Sequence, residues 1–221
     1  MTLREDFHRY GLVRAIRAKL WRAAQRYFGL HVWVIQSRPL VENFKMPADH
    51  AARFEFKRLS LEDALTACED ESLGMDPEFV RDAFARGDIC QGTFENGKLV
   101  TYCWRTTDRA PVAEGLWLRI HGQGIRYGHK SFVLPAYRGI RLSHSNARFY
   151  DHPFISNGIR TDIGYVDLHN LASLRNTYRD PDRKTIGYAG YLSLADRYRT
   201  WRSRKVRQYL SFEERAEPTR G

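Results

Sequence analysis

The chain has 221 residues, of which 43% are hydrophobic and 13% aromatic, enough to bury the core of a full domain and to exclude a disordered protein. No apolar run approaches the roughly 20 residues that a membrane-spanning helix needs. Charges in the opening MTLREDFHRYG stand where a signal peptide has its apolar region. The three cysteines lack C-x-x-C spacing, which favours reduced thiols over a zinc ribbon, so a cytoplasmic protein is expected.

The net charge of +10 is concentrated at the two ends of the chain. Residues 1–30 contain seven Lys/Arg and two acids, and residues 197–221 contain eight and three, so each end carries +5. No nucleic-acid recognition motif accompanies this charge, and a nucleic-acid partner is not expected. Basic ends also attract anionic lipid, here at the inner membrane surface, or an acidic carrier protein.

In chain order, the first predicted element is a basic amphipathic helix over residues 3–28. Its apolar residues recur three or four apart, with arginines between them and Gly29 at the end. Two interpretations stay open: a helix docked on the domain, or one that contacts a membrane surface or a partner. His31–Ile35 is predicted to be a strand, and Pro39 and Pro47 mark a connector.

The central region alternates strands and helices. Ser60 to Asp63 is predicted to begin a helix with a capping box, and Asp76-Pro77 to begin another that ends before Gly87. Asn96-Gly97 is a strong hairpin signal. The strands predicted here are 53–59, 89–95, 98–106, a pair at 114–121 and 124–134, then 161–168 and 184–194, with a further helix at 170–178.

The stretch Lys130–Asn146, KSFVLPAYRGIRLSHSN, suggests a binding site. A strand ends at Pro135, a tight loop contains Arg138-Gly139, and a helix is predicted to begin near Ser143. Backbone N–H groups at a helix N-terminus and the helix dipole both favour an anion. We therefore predict a phosphate-binding loop.

The segment Pro135–Ser143 resembles the acyl-CoA pyrophosphate loop of GNAT-type N-acyltransferases, whose pattern is Arg/Gln-x-x-Gly-x-Gly/Ala. Arg138 stands at the first position of the pattern, while Arg141 and Ser143 replace its small residues. DLHNLASL at 167–174 and Ile186-Gly187-Tyr188 resemble later stretches of the same family. The resemblance implies a mixed α/β GNAT-like domain over 51–195. On either side of it we expect a basic helical extension and connector at 1–50 and a basic C-terminal extension at 196–221, helical at first and disordered at its end.

This resemblance also implies an activity, the transfer of an acetyl or other acyl group from a CoA thioester to a primary amine, without a metal. Tyr178 is the expected general acid, with Tyr188 and Tyr191 as alternatives. His129 is the first candidate for the general base, and Glu114, His121 and His144 stay open. The expected donor-binding residues are Val133, Leu134, Arg138, Gly139, Ile140, Arg141, Leu142, Ser143, Asn170 and Ser173.

The acceptor, a small-molecule or protein amine, is not identified by the sequence. One alternative is an acyl carrier protein as the donor of a long acyl chain. The others are a GNAT-like binding module without activity and an adaptor on membrane or nucleic acid. No H-E-x-x-H, G-x-x-x-x-G-K-[ST] or G-x-S-x-G motif is present, which disfavours zinc proteases, P-loop hydrolases and serine hydrolases.

Overall fold

A computed structural model describes residues 10–194 and 197–214 as a mixed α/β protein. Its helices are α1 (Leu12–Phe28), α2 (Ala48–Arg53), α3 (Leu61–Ala67), α4 (Pro77–Ala85), α5 (Leu142–Phe149), α6 (Asp151–Ser156) and α7 (Leu171–Tyr178). Its strands are β1 (Leu30–Pro39), β2 (Glu55–Arg58), β3 (Ile89–Glu95), β4 (Lys98–Thr106), β5 (Arg109–Ala113), β6 (Leu116–Ile120), β7 (Ile125–Val133), β8 (Thr161–Asp167), β9 (Lys184–Leu194), β10 (Arg197–Arg202) and β11 (Leu210–Glu214). No helix in the described ranges is long and apolar enough to cross a membrane.

Contacts divide the chain into two compact units. The first consists of the described residues of Met1–Arg38, Arg109–Gly122 and Ile163–Gly221. The second consists of Pro39–Asp108 and Gln123–Asp162.

In the first unit, β1 is an interior strand, with β9 on one side and β8 on the other. β1 and β10 both pair antiparallel with β9. Gly190 of β9 has no space for a side chain, because a Cβ there would lie 2.1 Å from the His31 carbonyl oxygen and 2.4 Å from the Trp201 ring. A separate three-stranded sheet has the order β11-β6-β5.

In the second unit, β2, β3, β4 and β7 form consecutive antiparallel pairs. A hydrophobic core packs against them, with Leu59, Val80 and Trp104 almost fully buried. Ser60 and Asp63 form the predicted capping box at the start of α3. These strands and helices position the loop that follows β7.

Four buried charged side chains connect elements of the second unit. Asp162 Oδ1 accepts hydrogen bonds from Arg105 Nη1 and Arg126 Nε, each at 2.9 Å. Arg126 Nη2 donates to Asp151 Oδ1 at 2.6 Å, and the Val41 N–H donates to Asp151 Oδ2 at 3.0 Å. Two positive and two negative charges are therefore buried together, each with a partner of opposite sign.

Several sequence predictions are confirmed. α1 ends at Phe28, and Gly29 follows with a left-handed φ of 62°. The Asn96-Gly97 turn joins β3 and β4, and β9 covers the predicted range 184–194. Residues 3–9 of the predicted N-terminal helix lie outside the described residues.

Two predictions are wrong. The C-terminal extension was expected to be helical, but it forms β10 and β11, with only a short 3-10 turn at Val206–Gln208. β10 pairs along the whole of its length with β9, a contact with a distant strand that determines its extended conformation. The predicted pair 114–121 and 124–134 does not form either, because β6 pairs with β5 and β11 while β7 pairs with β4.

Candidate functional site

A β-bulge interrupts β7 a few residues before the loop. Cys103 pairs with Ser131 and Arg105 with Gly128, so His129 and Lys130 both stand opposite Trp104. A bulge of this kind redirects side chains and breaks the regular alternation of faces. As a result, both residues contact Phe79 of α4: the His129 ring lies 6.1 Å from the Phe79 ring centroid and Lys130 Nζ lies 4.3 Å from it.

The end of β7 distinguishes between the two predicted backbone donors. The Leu134 N–H donates to the Val100 carbonyl at 3.0 Å, so β4 already uses it. Successive N–H groups of a strand alternate between its two edges, and Thr101 pairs with Val133. The Val133 N–H therefore points away from β4, toward the other edge of β7.

The start of the loop is held in place by a side-chain network within the second unit. Pro135–Tyr137 forms a 3-10 turn, and the Tyr137 hydroxyl donates to Glu95 Oε2. Arg53 Nε binds the other oxygen of the same carboxylate. These two hydrogen bonds lower the pKa of Glu95, so it stays ionised and keeps the turn in place.

The rest of the loop presents backbone N–H groups. Gly139 has φ 92° and Arg141, the residue before α5, has φ 60°. Within the described part of the chain, no acceptor is found for five consecutive N–H groups, those of Gly139 to Ser143. The last two also begin α5, where the helix dipole adds positive potential. This arrangement fits a phosphate group.

The charged side chains of the loop are exposed beside these N–H groups. Arg138 Nε donates to the Val133 carbonyl at 3.2 Å, and its guanidinium lies 5.9 Å from the Phe132 ring centroid. Arg141 and Ser143 are also exposed. Arg138 is thus tethered close to the end of β7.

His129, the predicted base, is buried. Its Nε2 approaches Asp88 Oδ2 at 3.4 Å, and the same oxygen accepts a hydrogen bond from Arg86 Nη2 at 2.9 Å. Burial lowers the pKa of His129, and Asp88 opposes that shift only in part. The imidazole is therefore neutral at pH 7 and can accept a proton.

Three predicted residues, Asn170, Ser173 and Tyr178, belong to the first unit, whereas the loop residues belong to the second. Asn170 Oδ1 accepts a hydrogen bond from the Ser173 N–H at 3.1 Å, which caps the N-terminus of α7. Tyr178, the last residue of α7, is 63% exposed. Of the alternatives, Tyr188 is exposed and Tyr191 is buried.

Sequence reasoning missed a groove between α3 and α4. Its volume is about 650 Å³. Burial raises the pKa of the Cys68 thiol in this groove, and Lys130 opposes that shift in part. The groove is lined by Leu61, Glu62, Leu65, Thr66, Cys68, Glu69, Pro77 and Arg81.

Sequence reasoning also missed the half-buried position of Lys130. Burial lowers its pKa, which Asp76 partly opposes. The bulge that redirects it gives no signal in a single sequence. No three His, Cys, Asp or Glu side chains within residues 10–194 and 197–214 lie close enough together to hold a metal ion.

Comparisons with known proteins identify the fold. No family model matches the chain, and no curated protein does. A GNAT-family protein from Novosphingobium aromaticivorans matches 74% of the chain and 63% of its own length, with a TM-score of 0.52 and 12% identity. A GNAT-family acetyltransferase from Colwellia psychrerythraea matches 72% of the chain and 53% of its own length, with a TM-score of 0.48 and 12% identity. This chain thus spans less than two thirds of either protein, and the first match shows that it has the fold of the GNAT-type acetyltransferases.

Proposed function

We propose that this protein is an N-acyltransferase that moves an acyl group, acetyl in the first instance, from a CoA thioester to a primary amine. The observation that carries the proposal is the run of five N–H groups from Gly139 to Ser143 that have no acceptor in the described residues. They follow the strand whose end directs the Val133 N–H away from β4. On the GNAT fold, such a loop suits the diphosphate of CoA.

The proposed reaction forms a C–N bond and breaks a C–S bond. The amine nitrogen attacks the thioester carbonyl carbon, and negative charge develops on the carbonyl oxygen. The Val133 N–H is the proposed donor to that oxygen. His129 takes the proton that the amine loses, and Tyr178 gives a proton to the departing thiolate. The roles of His129 and Tyr178 rest on the family resemblance.

The groove between α3 and α4 is the proposed acceptor site. The carboxylates of Glu62 and Glu69 favour a positively charged amine, and Leu61, Leu65 and Pro77 favour an apolar group beside it. A primary amine with an aliphatic or aromatic neighbour combines both properties. Arg81 at the same groove disfavours an acceptor with two positive charges.

A binding measurement tests the donor site. Isothermal titration with acetyl-CoA should show that Arg138→Ala weakens binding by about 1.5–3 kcal/mol, the size of a lost charge-assisted hydrogen bond. Arg58→Ala, at an exposed arginine of β2, is the matched control and should bind as the parent does. Equal affinity in all three proteins would rule out the phosphate assignment.

A second measurement separates catalysis from binding. The protein is incubated with acetyl-CoA and a panel of aliphatic and aromatic amines, and N-acetylated products are detected by mass spectrometry. Donor binding without product for any amine would favour a GNAT-like binding module. A long-chain acyl carrier protein is included as a second donor, because the exposed Arg138 and Arg141 also suit an acidic partner.

A further inference from the structure

Helix α1 of the first unit packs through its smallest side chains. Ala15 and Ala18 are 0% and 1% exposed, and they are its only buried residues. Small residues allow a close approach but bury little apolar surface. Trp21 is half-buried, but the other large apolar side chains of the helix remain exposed.

These large side chains form a continuous exposed stripe. Leu12, Val13, Ile16, Leu20 and Tyr27 are each between 44% and 73% exposed. At 3.6 residues per turn, all five fall within an arc of about 100° on one side of the helix. Ala15 and Ala18 lie outside this arc, so the apolar stripe of α1 is distinct from its docked face.

Positive charge flanks the stripe. Between Leu12 and Phe28 the sequence has five Arg or Lys residues and no acidic residue. Arg17 borders one side of the stripe, and Lys19 and Arg26 border the other; all three are exposed. An apolar stripe between two rows of cations is typical of a helix that lies in the interface of an anionic membrane.

The charges also argue against other occupants. A second copy of the chain would bring another helix with five positive charges and no acid against the first, which opposes self-association. Nucleic acid would engage the cations but would leave the aliphatic side chains exposed to water. An anionic bilayer accommodates both the cations and the apolar stripe, because its headgroups surround the cations and its acyl chains lie against the stripe.

We propose that α1 docks this protein on anionic lipid bilayers through the stripe formed by Leu12, Val13, Ile16, Leu20 and Tyr27. The helix lies along the surface and does not cross the bilayer. The proposal is independent of acyl transfer, since no residue of the loop or the groove takes part in it.

Co-sedimentation tests the proposal with the whole protein. Vesicles of phosphatidylcholine with about 30% phosphatidylglycerol should pellet the protein, whereas pure phosphatidylcholine vesicles should not. The double variant Ile16→Ser, Leu20→Ser should lower the bound fraction at least tenfold. Leu194→Ser, at a leucine that is 50% exposed in the same unit, should have no effect.

A spectroscopic variant shows whether the stripe enters the bilayer. Leu20→Trp should shift its fluorescence to shorter wavelength when anionic vesicles are added, and Leu194→Trp should not. Three results would overturn the proposal: no pelleting with anionic vesicles, pelleting that the double serine variant leaves unchanged, or binding of α1 to an acidic carrier protein without any to vesicles. Circular dichroism of each variant confirms that a lost signal does not come from unfolding.

Discussion

Arg141 combines an unfavourable backbone with an exposed charge. Its φ of 60° lies in the left-handed region, where a residue with a Cβ is disfavoured. Arg141→Gly should raise the free energy of unfolding by up to about 1 kcal/mol, because glycine adopts this conformation without strain. If Arg141 binds phosphate, the same change should weaken acetyl-CoA binding by about 1.5–3 kcal/mol.

Urea unfolding and isothermal titration measure the two effects separately. Asn96→Gly is the matched control, since Asn96 has φ 51° in the hairpin turn. It should leave donor affinity unchanged and alter stability less, because asparagine tolerates the left-handed region. If Arg141→Gly gains stability and keeps full affinity for acetyl-CoA, Arg141 does not contribute to donor binding.

Tyr178 can be tested through the difference between turnover and binding. Tyr178→Phe removes only the hydroxyl, so a general acid lost there should lower kcat while the affinity for acetyl-CoA stays the same. Tyr188→Phe, at another exposed tyrosine of the first unit, is the control. If Tyr178→Phe keeps full activity and Tyr188→Phe lowers kcat, the general acid is Tyr188 instead.

The lowered pKa of His129 predicts how the free energy of unfolding depends on pH. Its pKa in the folded protein is lowered from 6.5 by burial, so the unfolded chain takes up a proton at a higher pH than the folded one. Stability is therefore present above pH 6.5 and is lost as pH falls from there toward the folded pKa. The groups that act on the imidazole are Asp88, Arg86 and Arg105.

Thermal unfolding between about pH 7.5 and 5 should show this loss, and His129→Asn should make it smaller. His31 and His169 also have pKa values lowered by burial, so the dependence should shrink but not vanish. His152→Asn, at an exposed histidine, should leave the profile unchanged. An identical profile for His129→Asn would show that His129 takes up no proton on unfolding.

At the scale of elements, the buried charge network predicts a large stability effect. Asp162→Asn keeps the shape of the side chain but leaves Arg105 and Arg126 without the carboxylate that both contact. Breaking a buried ion pair from one side costs about 3–5 kcal/mol. Urea unfolding should show a loss of this size, while Asp82→Asn on the exposed face of α4 should change stability by less than about 0.5 kcal/mol.

Elements with local signals could be predicted from the sequence. The capping box of Ser60 and Asp63, Pro77 at the start of α4, and Asn96-Gly97 between β3 and β4 each act within a few residues. β10 and β11 have no such signal, because their pairing depends on β9 and β6 elsewhere in the chain. The predicted C-terminal helix is therefore wrong, because what determines this segment is its pairing with distant strands and not a local pattern.

The candidate site likewise has a part that the local sequence predicts and a part that depends on distant contacts. The loop from Arg138 to Ser143 was predictable, because glycine, proline and arginine positions indicate a turn before a helix. The burial of His129 beside Asp88 was not, since it depends on the bulge opposite Trp104 and on Phe79 from α4. Likewise, the choice of Val133 over Leu134 follows only from the register of β4 and β7.

At the scale of the whole molecule, the interior position of β1 affects how the chain can fold during its synthesis. β1 pairs with β9, which begins at Lys184. At about 5–20 residues per second, β1 would wait on the order of 10 s after leaving the ribosome before β9 is made. One hydrogen-bonding edge of β1 lacks its native partner until β8 is made, and the other edge lacks its partner until β9 is made, while Trp33, Val34 and Ile35 of β1 wait to be buried. The first unit can therefore close only after the last third of the chain is made, and its first strand is the segment for which a chaperone would have the longest time to compete.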